Sequence, residues 1–431
     1  MTRHPRLTLA AGALTVGVLC AACATPSALA TQAASGSLYT AQVRDHRAVR
    51  DALRWLEDHY EEQVAEWIRI TEIPAKSTHE QARGAYIRAQ MEASGLEVSV
   101  DDLGNVVGIR RGTGGGSTVV FAAHMDTVHP QDTDVSVKRD GDILRAPGIF
   151  DNSSSVANML ATIRALNAAG VRTVGDLIFI ATVQEEIGLR GMNHWLESNP
   201  GVADMLVAID GGVGSINYGA LGIYWTRYTF HAEGSHTNTS TGKPHPVRAL
   251  SDAVRSIYEL RIPEGRGGAV YNAGMVAGGF VFNAIPQDVS FTMDLRSVNP
   301  QLLDSLDAEI EARVARAAEA NRVRWTMERE QQSPAGGTEE TLADRGRHPL
   351  VLTAVDVYGE LGLGNRTVAS GSTDANTGVI RGIPSIAVGR GVGGEQHTLS
   401  EWADRASALP ATKAIVLLAA SLPGVVPALI P

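Results

Sequence analysis

Cysteine is nearly absent from this chain of 431 residues, which contains only Cys20 and Cys23, both close to the N-terminus. A core built on disulfides and a metal site built on thiolates are therefore excluded for the rest of the chain. Positive charge is also in deficit, because 47 Asp and Glu face 37 Lys and Arg, for a formal net charge of -10. We therefore expect neither nucleic acid nor an anionic membrane surface as a partner.

Apolar sequence near the N-terminus is too short to form a membrane span, since it covers only residues 7–20. It follows the basic residues Arg3 and Arg6 and precedes residues 28–30, Ala-Leu-Ala, which fit the small-x-small rule of signal-peptidase sites. We therefore predict a signal peptide over residues 1–30. The mature chain would be periplasmic or secreted and would have no transmembrane span.

Lipoprotein processing at Cys23 is a second interpretation of the same region. We rank it below signal-peptidase cleavage because residues 20–22 form an imperfect lipobox. Cleavage after Ala30 would leave a mature chain without cysteine, which suits an oxidising compartment.

Short apolar runs, typical of buried strands, alternate with helical patterns over much of the chain. Strands are predicted at 117–123, 177–183 and 205–209, and a helix at 153–168. Such alternation favours an α/β fold with a mostly parallel mixed sheet flanked by helices.

The middle of the chain has a different order of elements: strand, helix, strand, strand, helix, strand. The predicted segments are 220–233, 246–261, 271–282, 287–296, 300–320 and 323–327. This order is typical of a ferredoxin-like α+β domain. We interpret residues 331–337, QQSPAGG, as a linker, after which the α/β pattern resumes. The small middle domain is therefore expected to be inserted into a larger α/β domain.

Histidine and acidic residues recur just beyond the apolar strands or in glycine-rich loops. They are His124, Asp126, Asp151, Glu185, Glu186, Asp210 and His397. In open α/β sheets, ligands bind beyond the carboxyl ends of the strands. Because His, Asp and Glu converging there can hold divalent metals, the set predicts a dinuclear metal site.

Taken singly, each of these residues has a simpler interpretation. Asp151 could cap the following helix, and the Glu185–Glu186 pair could be a solvated start of a loop. Asp126 could orient His124, since residues two apart on a strand point the same way, or it could be an ordinary strand-end acid. The conjunction of these residues, rather than any one of them, favours the metal site.

The motifs, in order, resemble the dizinc exopeptidase family of peptidase T, aminoacylase and the glutamate carboxypeptidases. They are H-M-D (124–126), G-x-x-D (148–151), E-E (185–186), D-G-G (210–212), G-S-H (234–236), G-x-T-D (371–374) and a final His397. The resemblance runs from about residue 60 to 420. One departure is residues 151–155, D-N-S-S-S, where family members often have an acidic or amide residue followed by Lys and Gly.

The resemblance implies a role for each residue. Two zinc ions, for which cobalt or manganese can substitute, would be bound by His124, Asp151, Glu186, Asp210 and His397. Asp151 would bridge the ions, Glu185 would be the general base, and Asp126 would be the partner of His124. The resemblance also implies that the inserted domain is a lid, at 217–335, within a catalytic domain in two parts, 31–216 and 336–431. We expect a homodimer through this lid.

Three polar residues of the expected lid follow or end its strands: His236, Asn283 and Arg296. We hypothesise that they face the metals on closure. His236 would support the oxyanion, either from its own lid or from a neighbouring subunit. Asn283 or Arg296 would bind a substrate carboxylate or carbonyl. For Arg296, a surface ion pair is the alternative.

The resulting functional hypothesis is an exported dizinc peptidase that acts on short peptides, most closely resembling the aminopeptidases. Asp210 in D-G-G and Asp374 in G-x-T-D match the peptidase T-like members, and Asp374 could bind a substrate ammonium group or merely cap a helix. The alternatives are a carboxypeptidase or N-acyl amino acid deacylase with the same site, and a non-catalytic binding protein that retains the fold. A structural zinc protein is disfavoured, since such sites prefer thiolates.

Overall fold

The computed structural model describes residues 36–262, 268–337 and 339–427. The predicted signal peptide, with Cys20 and Cys23, lies outside these residues. Within the described ranges, no helix combines the length and the apolar character needed to cross a membrane.

Helices and strands alternate through most of the described chain. The helices are α1 (Ala41–Arg44), α2 (Arg47–Asp58), α3 (Tyr60–Thr71), α4 (Gln81–Ala93), α5 (Ser154–Ala168), α6 (Arg190–Ser198), α7 (Pro246–Ile257), α8 (Pro300–Ala320), α9 (Glu339–Gly346), α10 (Pro349–Glu360), α11 (Ala375–Val379) and α12 (Ala408–Ser421). The strands are β1 (Glu97–Val100), β2 (Val106–Arg110), β3 (Val119–His124), β4 (Lys138–Asp140), β5 (Ile143–Arg145), β6 (Leu177–Thr182), β7 (Met205–Ile209), β8 (Ser215–Asn217), β9 (Gly222–His231), β10 (Ser235–His236), β11 (Ala269–Gly278), β12 (Ala284–Ile285), β13 (Asp288–Ser297), β14 (Arg324–Ser333), β15 (Arg366–Val368), β16 (Ser385–Val388), β17 (Val392–Gly394) and β18 (Trp402–Asp404).

The central sheet has eight strands in the order β1-β2-β6-β3-β7-β16-β8-β15. Its middle strands β6, β3, β7 and β16 run parallel, and the sheet is mixed towards both edges. Strands β3, β6 and β7 are buried along their whole length, which explains their uninterrupted apolar sequence. The predicted α/β fold is confirmed.

Helices cover the two faces of this sheet. On one face, α5 is buried along almost all its length among α2, α3, α12 and β3. On the other face, Met192 and Trp195 of α6 pack with Val120 and Ile178. This double cover leaves the carboxyl edge of the parallel strands as the place where loops meet.

A second region, which we call the inserted unit (residues 222–333), lies in sequence between β8 and β15 of the central sheet. It is an antiparallel sheet in the order β11-β13-β9-β14 against which α7 and α8 pack. Its core contains Tyr228, Phe230 and Phe291. The ferredoxin-like pattern predicted for the middle of the chain is therefore observed, whereas the domain boundaries at 217 and 335 stay a prediction.

The predicted linker at 331–337 is wrong in its first half. Strand β14 continues to Ser333, which pairs with Ile223, and Gln332 pairs with Tyr224. Because β9 offers backbone partners along ten residues, the polar QQS sequence is held in the sheet. Gln331 and Ser333 are buried there.

Candidate metal centre

The predicted site residues gather at the carboxyl edge of the parallel strands. His124 is the last residue of β3, and Asp210 follows β7. Arg390, which was not predicted, follows β16 at the same edge. Glu185 and Glu186 lie just beyond β6. Parallel strands end at one edge of the sheet, so residues far apart in sequence come together.

Two groups of side chains share Asp151. His124 Nε2 lies 3.2 Å from Asp151 Oδ1 and 3.9 Å from Asp210 Oδ2. His397 Nε2 lies 3.6 Å from Asp151 Oδ2 and 3.2 Å from Glu186 Oε2. Each oxygen of Asp151 therefore faces a different group, which is the placement that a bridging carboxylate requires.

The glutamate pair lies within reach of the same groups. The possible ligand atoms of His124, Asp151 and Glu186 lie within 4.8 Å of one another, and so do those of His124, Glu185 and Asp210. Both glutamate side chains are buried, so the alternative of a solvated pair does not hold. The division of roles between base and ligand stays a prediction.

Asp126 is a buried carboxylate that organises this pair. Its oxygens accept hydrogen bonds from the backbone N–H groups of Glu185, at 3.0 Å, and Glu186, at 3.2 Å, and from the Ser77 hydroxyl at 2.7 Å. His124 Nδ1 lies 3.2 Å from the Asp126 carbonyl oxygen and 3.4 Å from its carboxylate. Asp126 thus adjoins His124 as expected, and it also holds the backbone of the glutamate pair.

Asp151 does not cap the following helix. It lies in a π-helical turn, Ile149–Ser153, where its own φ and ψ are -105° and 95°. Helix α5 begins after Ser153, which makes no side-chain cap. The carboxylate of Asp151 instead faces the two histidines and Arg390.

Burial shifts the pKa values of the carboxylates at this site. It raises the pKa of Glu185 well above the usual range and also raises the pKa values of Glu186 and Asp210. Burial acts in the same direction on Asp151, but Arg390 and the two histidines hold its pKa well below the usual range. Hydrogen bonds to Asp151 and Glu186 raise the pKa of His397 to about 10. Ionised carboxylates crowded in a buried site are costly without a cation, so a bound metal ion would stabilise their charged form.

The donor set fits a pair of divalent ions. The facing atoms are imidazole nitrogen and carboxylate oxygen, which suit zinc, and Glu186 Oε1 is buried without a hydrogen-bond partner among the described residues. His397 is 51% exposed, so one side of the site is open to solvent. Metal positions that keep an open side are typical of catalytic rather than structural sites.

Arg390, which the sequence analysis missed, is a buried cation within the site. Its guanidinium donates to Asp210 and to Asn152 Oδ1, lies 3.3 Å from Asp151 Oδ1, and stacks 4.2 Å from the ring of Phe150. Arg390 follows an apolar strand just as Asp210 does, so the same strand-end rule could have identified it. Glu401 was also not predicted as a functional residue, and the strand-end rule gives no indication of it.

Asp374 is buried close to the metal centre, and it does not cap a helix. It occupies the N-cap position of α11 without a side-chain cap, and its Oδ2 accepts a hydrogen bond of 2.6 Å from the Thr182 hydroxyl. Thr182 pairs with His124 across β6 and β3. The other carboxylate oxygen of Asp374, Oδ1, has no hydrogen-bond partner within the described residues. Burial raises the pKa of this carboxyl to about 7.

The predicted lid residues make their polar contacts within the inserted unit. His236 Nε2 lies 3.3 Å from Asn283 Nδ2, and both side chains are exposed. Arg296 pairs with Asp294 at 2.9 Å, as its alternative interpretation supposed. Among the residues that the structure describes, no hydrogen bond or ion pair joins these three to the five predicted ligands.

The fold and the site together define the class of protein to which this chain belongs. The site has two groups of His, Asp and Glu around a shared carboxylate, and it lies at the carboxyl edge of a parallel sheet. This arrangement is typical of a metal-dependent hydrolase. Residues 120–421 match Peptidase family M20/M25/M40, and the chain belongs to this family. It is therefore a metal-dependent hydrolase that acts on peptide or amide bonds.

Relatives of this chain include exopeptidases of more than one kind. Carboxypeptidase G2 of Pseudomonas sp. is 26% identical over 323 residues, covering 71% of this chain and 75% of the relative. The aminopeptidase PepT of Bacillus cereus superposes with a TM-score of 0.65 at 22% identity, covering 83% of this chain and 97% of that chain. A dinuclear metal-binding peptidase of the M20 family from Bacillus subtilis superposes with a TM-score of 0.59 at 17% identity, covering 84% and 98%. The two structural likenesses establish the fold.

Proposed function

We propose that the protein is a two-zinc aminopeptidase that releases N-terminal residues from short peptides. The observation that carries this proposal is Asp374, a buried carboxylate whose Oδ1 has no partner among the described residues and which hydrogen-bonds the strand end beside His124. A substrate ammonium group there would give this oxygen a charge-assisted hydrogen bond.

The predicted ligands and Glu185 divide the work between them. When bound, two divalent ions supply Lewis-acid activation of the scissile carbonyl and of the attacking water. Glu185, with its backbone held by Asp126, takes the proton that the water loses and passes it to the leaving amine. One water is consumed and one peptide bond is broken.

A panel of tripeptides with free and acetylated amino termini, together with N-acyl amino acids, tests the proposal. We expect acetylation of a good substrate to abolish cleavage. Asp374→Asn should raise KM for the free peptide by roughly tenfold, because one charge-assisted hydrogen bond is lost. Asp176→Asn is the matched control, since Asp176 precedes β6 at the opposite edge of the sheet. Rapid cleavage of the blocked substrates would contradict the aminopeptidase assignment.

A carboxypeptidase or N-acyl amino acid deacylase is the second candidate. The similarity to carboxypeptidase G2, 26% identity over 71% of this chain, favours it. The same panel separates the two, because a deacylase or carboxypeptidase of this kind would act on substrates with blocked amino groups.

We further propose that a second copy of this chain covers an apolar surface of the inserted unit. Strand β11 is an edge strand, and Val270, Met275 and Val276 on it are exposed. Phe280, two residues beyond the end of β11, is 89% exposed, and Phe282 is also exposed. A free strand edge beside apolar side chains favours pairing with a second copy, because both would otherwise face water.

Molar mass from light scattering tests the homodimer. The wild-type chain should have twice the monomer mass, and a double variant with Phe280→Ser and Phe282→Ser should have the monomer mass. Val202→Ser is the control, because Val202 is exposed outside the inserted unit. A monomeric wild-type chain would refute the proposal.

Export is proposed from the sequence of residues 1–30. The mature chain should begin at Thr31, and mass spectrometry of the exported protein measures this. A lipidated Cys23 would instead give an excess mass and membrane association.

A further inference from the structure

Glu401 is a buried carboxylate, 1% exposed, that lies four residues after His397. Its Oε2 accepts the backbone N–H of Gly148 at 3.0 Å. Its Oε1 accepts the N–H groups of Phe150 at 2.8 Å and of Asp151 at 2.7 Å. One side chain therefore holds three amides of the loop that carries the shared carboxylate.

These amides depend on Glu401 for a partner. The loop precedes α5, and the remaining amide, that of Ile149, donates to the Ala146 carbonyl at 3.1 Å. A buried N–H without an acceptor is destabilising, so loss of the Glu401 carboxylate would favour a different conformation of the loop. Such a change would move Asp151, which both groups of the metal centre share.

The main chain around Glu401 also connects the loop that carries Asp151 to the segment that carries His397. The Ala146 N–H donates to the Glu401 carbonyl at 3.2 Å. Beyond it, Trp402 pairs with Arg145 where β18 meets β5. The segment that carries His397 and the loop that carries Asp151 are thus joined through the side chain and through the main chain of one residue and its neighbours.

We propose that Glu401 is a positioning residue of the metal centre, which aims the two oxygens of Asp151 and ties the loop of Asp151 to the segment of His397. Asp126 provides a parallel, because its carboxylate holds the amides of Glu185 and Glu186 in the same way. Both ligand-bearing loops are then set by a buried carboxylate that accepts from their backbone. The inference rests on the proposed two-metal function.

Cobalt titration of the purified metal-free chain tests it, with equilibrium dialysis for affinity and the visible spectrum of bound Co²⁺ for geometry. We expect two ions per wild-type chain. Glu401→Gln, which keeps the size but places an amide against backbone donors, should weaken the binding of both ions by roughly ten- to a hundredfold and change the spectrum. Glu401→Ala should weaken binding further.

Asp101→Asn is the matched control. Asp101 Oδ1 also accepts three backbone amides, from Leu103, Gly104 and Asn105, in a loop that carries no predicted ligand. It should lower the melting temperature and leave cobalt affinity and spectrum unchanged.

Wild-type affinity and spectrum in Glu401→Gln, with folding verified by circular dichroism, would overturn the inference, as would equal weakening in Asp101→Asn. If Glu401→Ala does not fold, Glu401→Gln alone decides the outcome. A wild-type chain that binds no Co²⁺ or Zn²⁺ would overturn the two-metal function itself, which separates the two failures.

Discussion

The metal centre and the inserted unit hold their polar residues in different ways. In the centre, Asp126 accepts three hydrogen bonds, and Arg390 contacts Asp210, Asn152 and Asp151 in a buried setting. In the inserted unit, His236 and Asn283 are exposed and hydrogen-bonded to each other.

This contrast separates residues held in a fixed buried geometry from exposed residues for which we propose a role in substrate binding. Groups that bind metal and move protons require fixed geometry, and a sheet edge braced by buried hydrogen bonds provides it. The residues that we propose to meet the substrate, His236 and Asn283, lie exposed on the inserted unit. Substitutions in the two regions should therefore differ in their effects.

The largest effect is expected at the glutamate pair in the preorganised region. Glu185→Gln should keep both metals and lower kcat by roughly two to four orders of magnitude, because an amide cannot accept the proton. Glu186→Gln should instead weaken metal binding, since it removes a ligand. Steady-state kinetics together with metal analysis of each variant measure the two effects.

Each of the two glutamate variants serves as the control for the other, since both side chains are buried just beyond the end of the same strand. If Glu185→Gln lost metal and Glu186→Gln kept it, the assigned roles would be reversed. Wild-type turnover in Glu185→Gln would remove it from the mechanism.

The metal centre was predictable from the sequence because its residues lie where strands end. His124 and Asp210 close or follow apolar runs, and a parallel sheet brings such positions to one edge. Glu401 could not be found this way, because its role comes from contacts with amides some 250 residues away in sequence. Likewise, the polar residues 331–333 resemble a linker, and only the length of β9 places them in a strand.

Substitution of Arg390 tests, through protein stability, whether the metal centre is held more rigidly than the inserted unit. Arg390→Met would leave Asp151 and Asp210 buried without their cation, and the free energy of unfolding of the metal-free chain should fall by about 3–5 kcal/mol. Bound metal should reduce this loss, because its positive charge serves the same carboxylates and ligand binding stabilises the folded state. Chemical denaturation with and without zinc measures both quantities.

Arg296→Met is the matched control in the inserted unit. Arg296 is 35% exposed and pairs with Asp294, so its loss should cost about 0–1 kcal/mol. Equal losses for the two arginines would show that the centre is no more tightly braced than the surface.

The smallest effect is expected for His236, which we propose to support the oxyanion from its own lid or from a neighbouring subunit. His236→Ala should lower kcat on the order of a hundredfold, the cost of losing one oxyanion donor, with metal content unchanged. His231→Ala is the control, because His231 lies in the same unit but pairs with Asp288 at 2.6 Å and should leave kcat unchanged. Full activity in His236→Ala would exclude it from the reaction.

Mixing two inactive variants then locates the action of His236. A chain with His236→Ala retains Glu185, and a chain with Glu185→Gln retains His236. If His236 acts on the site of a second copy, co-refolding the two variants restores part of the activity, because one site in the mixed dimer has both groups. If His236 acts on its own chain, the mixture stays as inactive as its parts, and movement of the inserted unit within one chain must bring it to the metals.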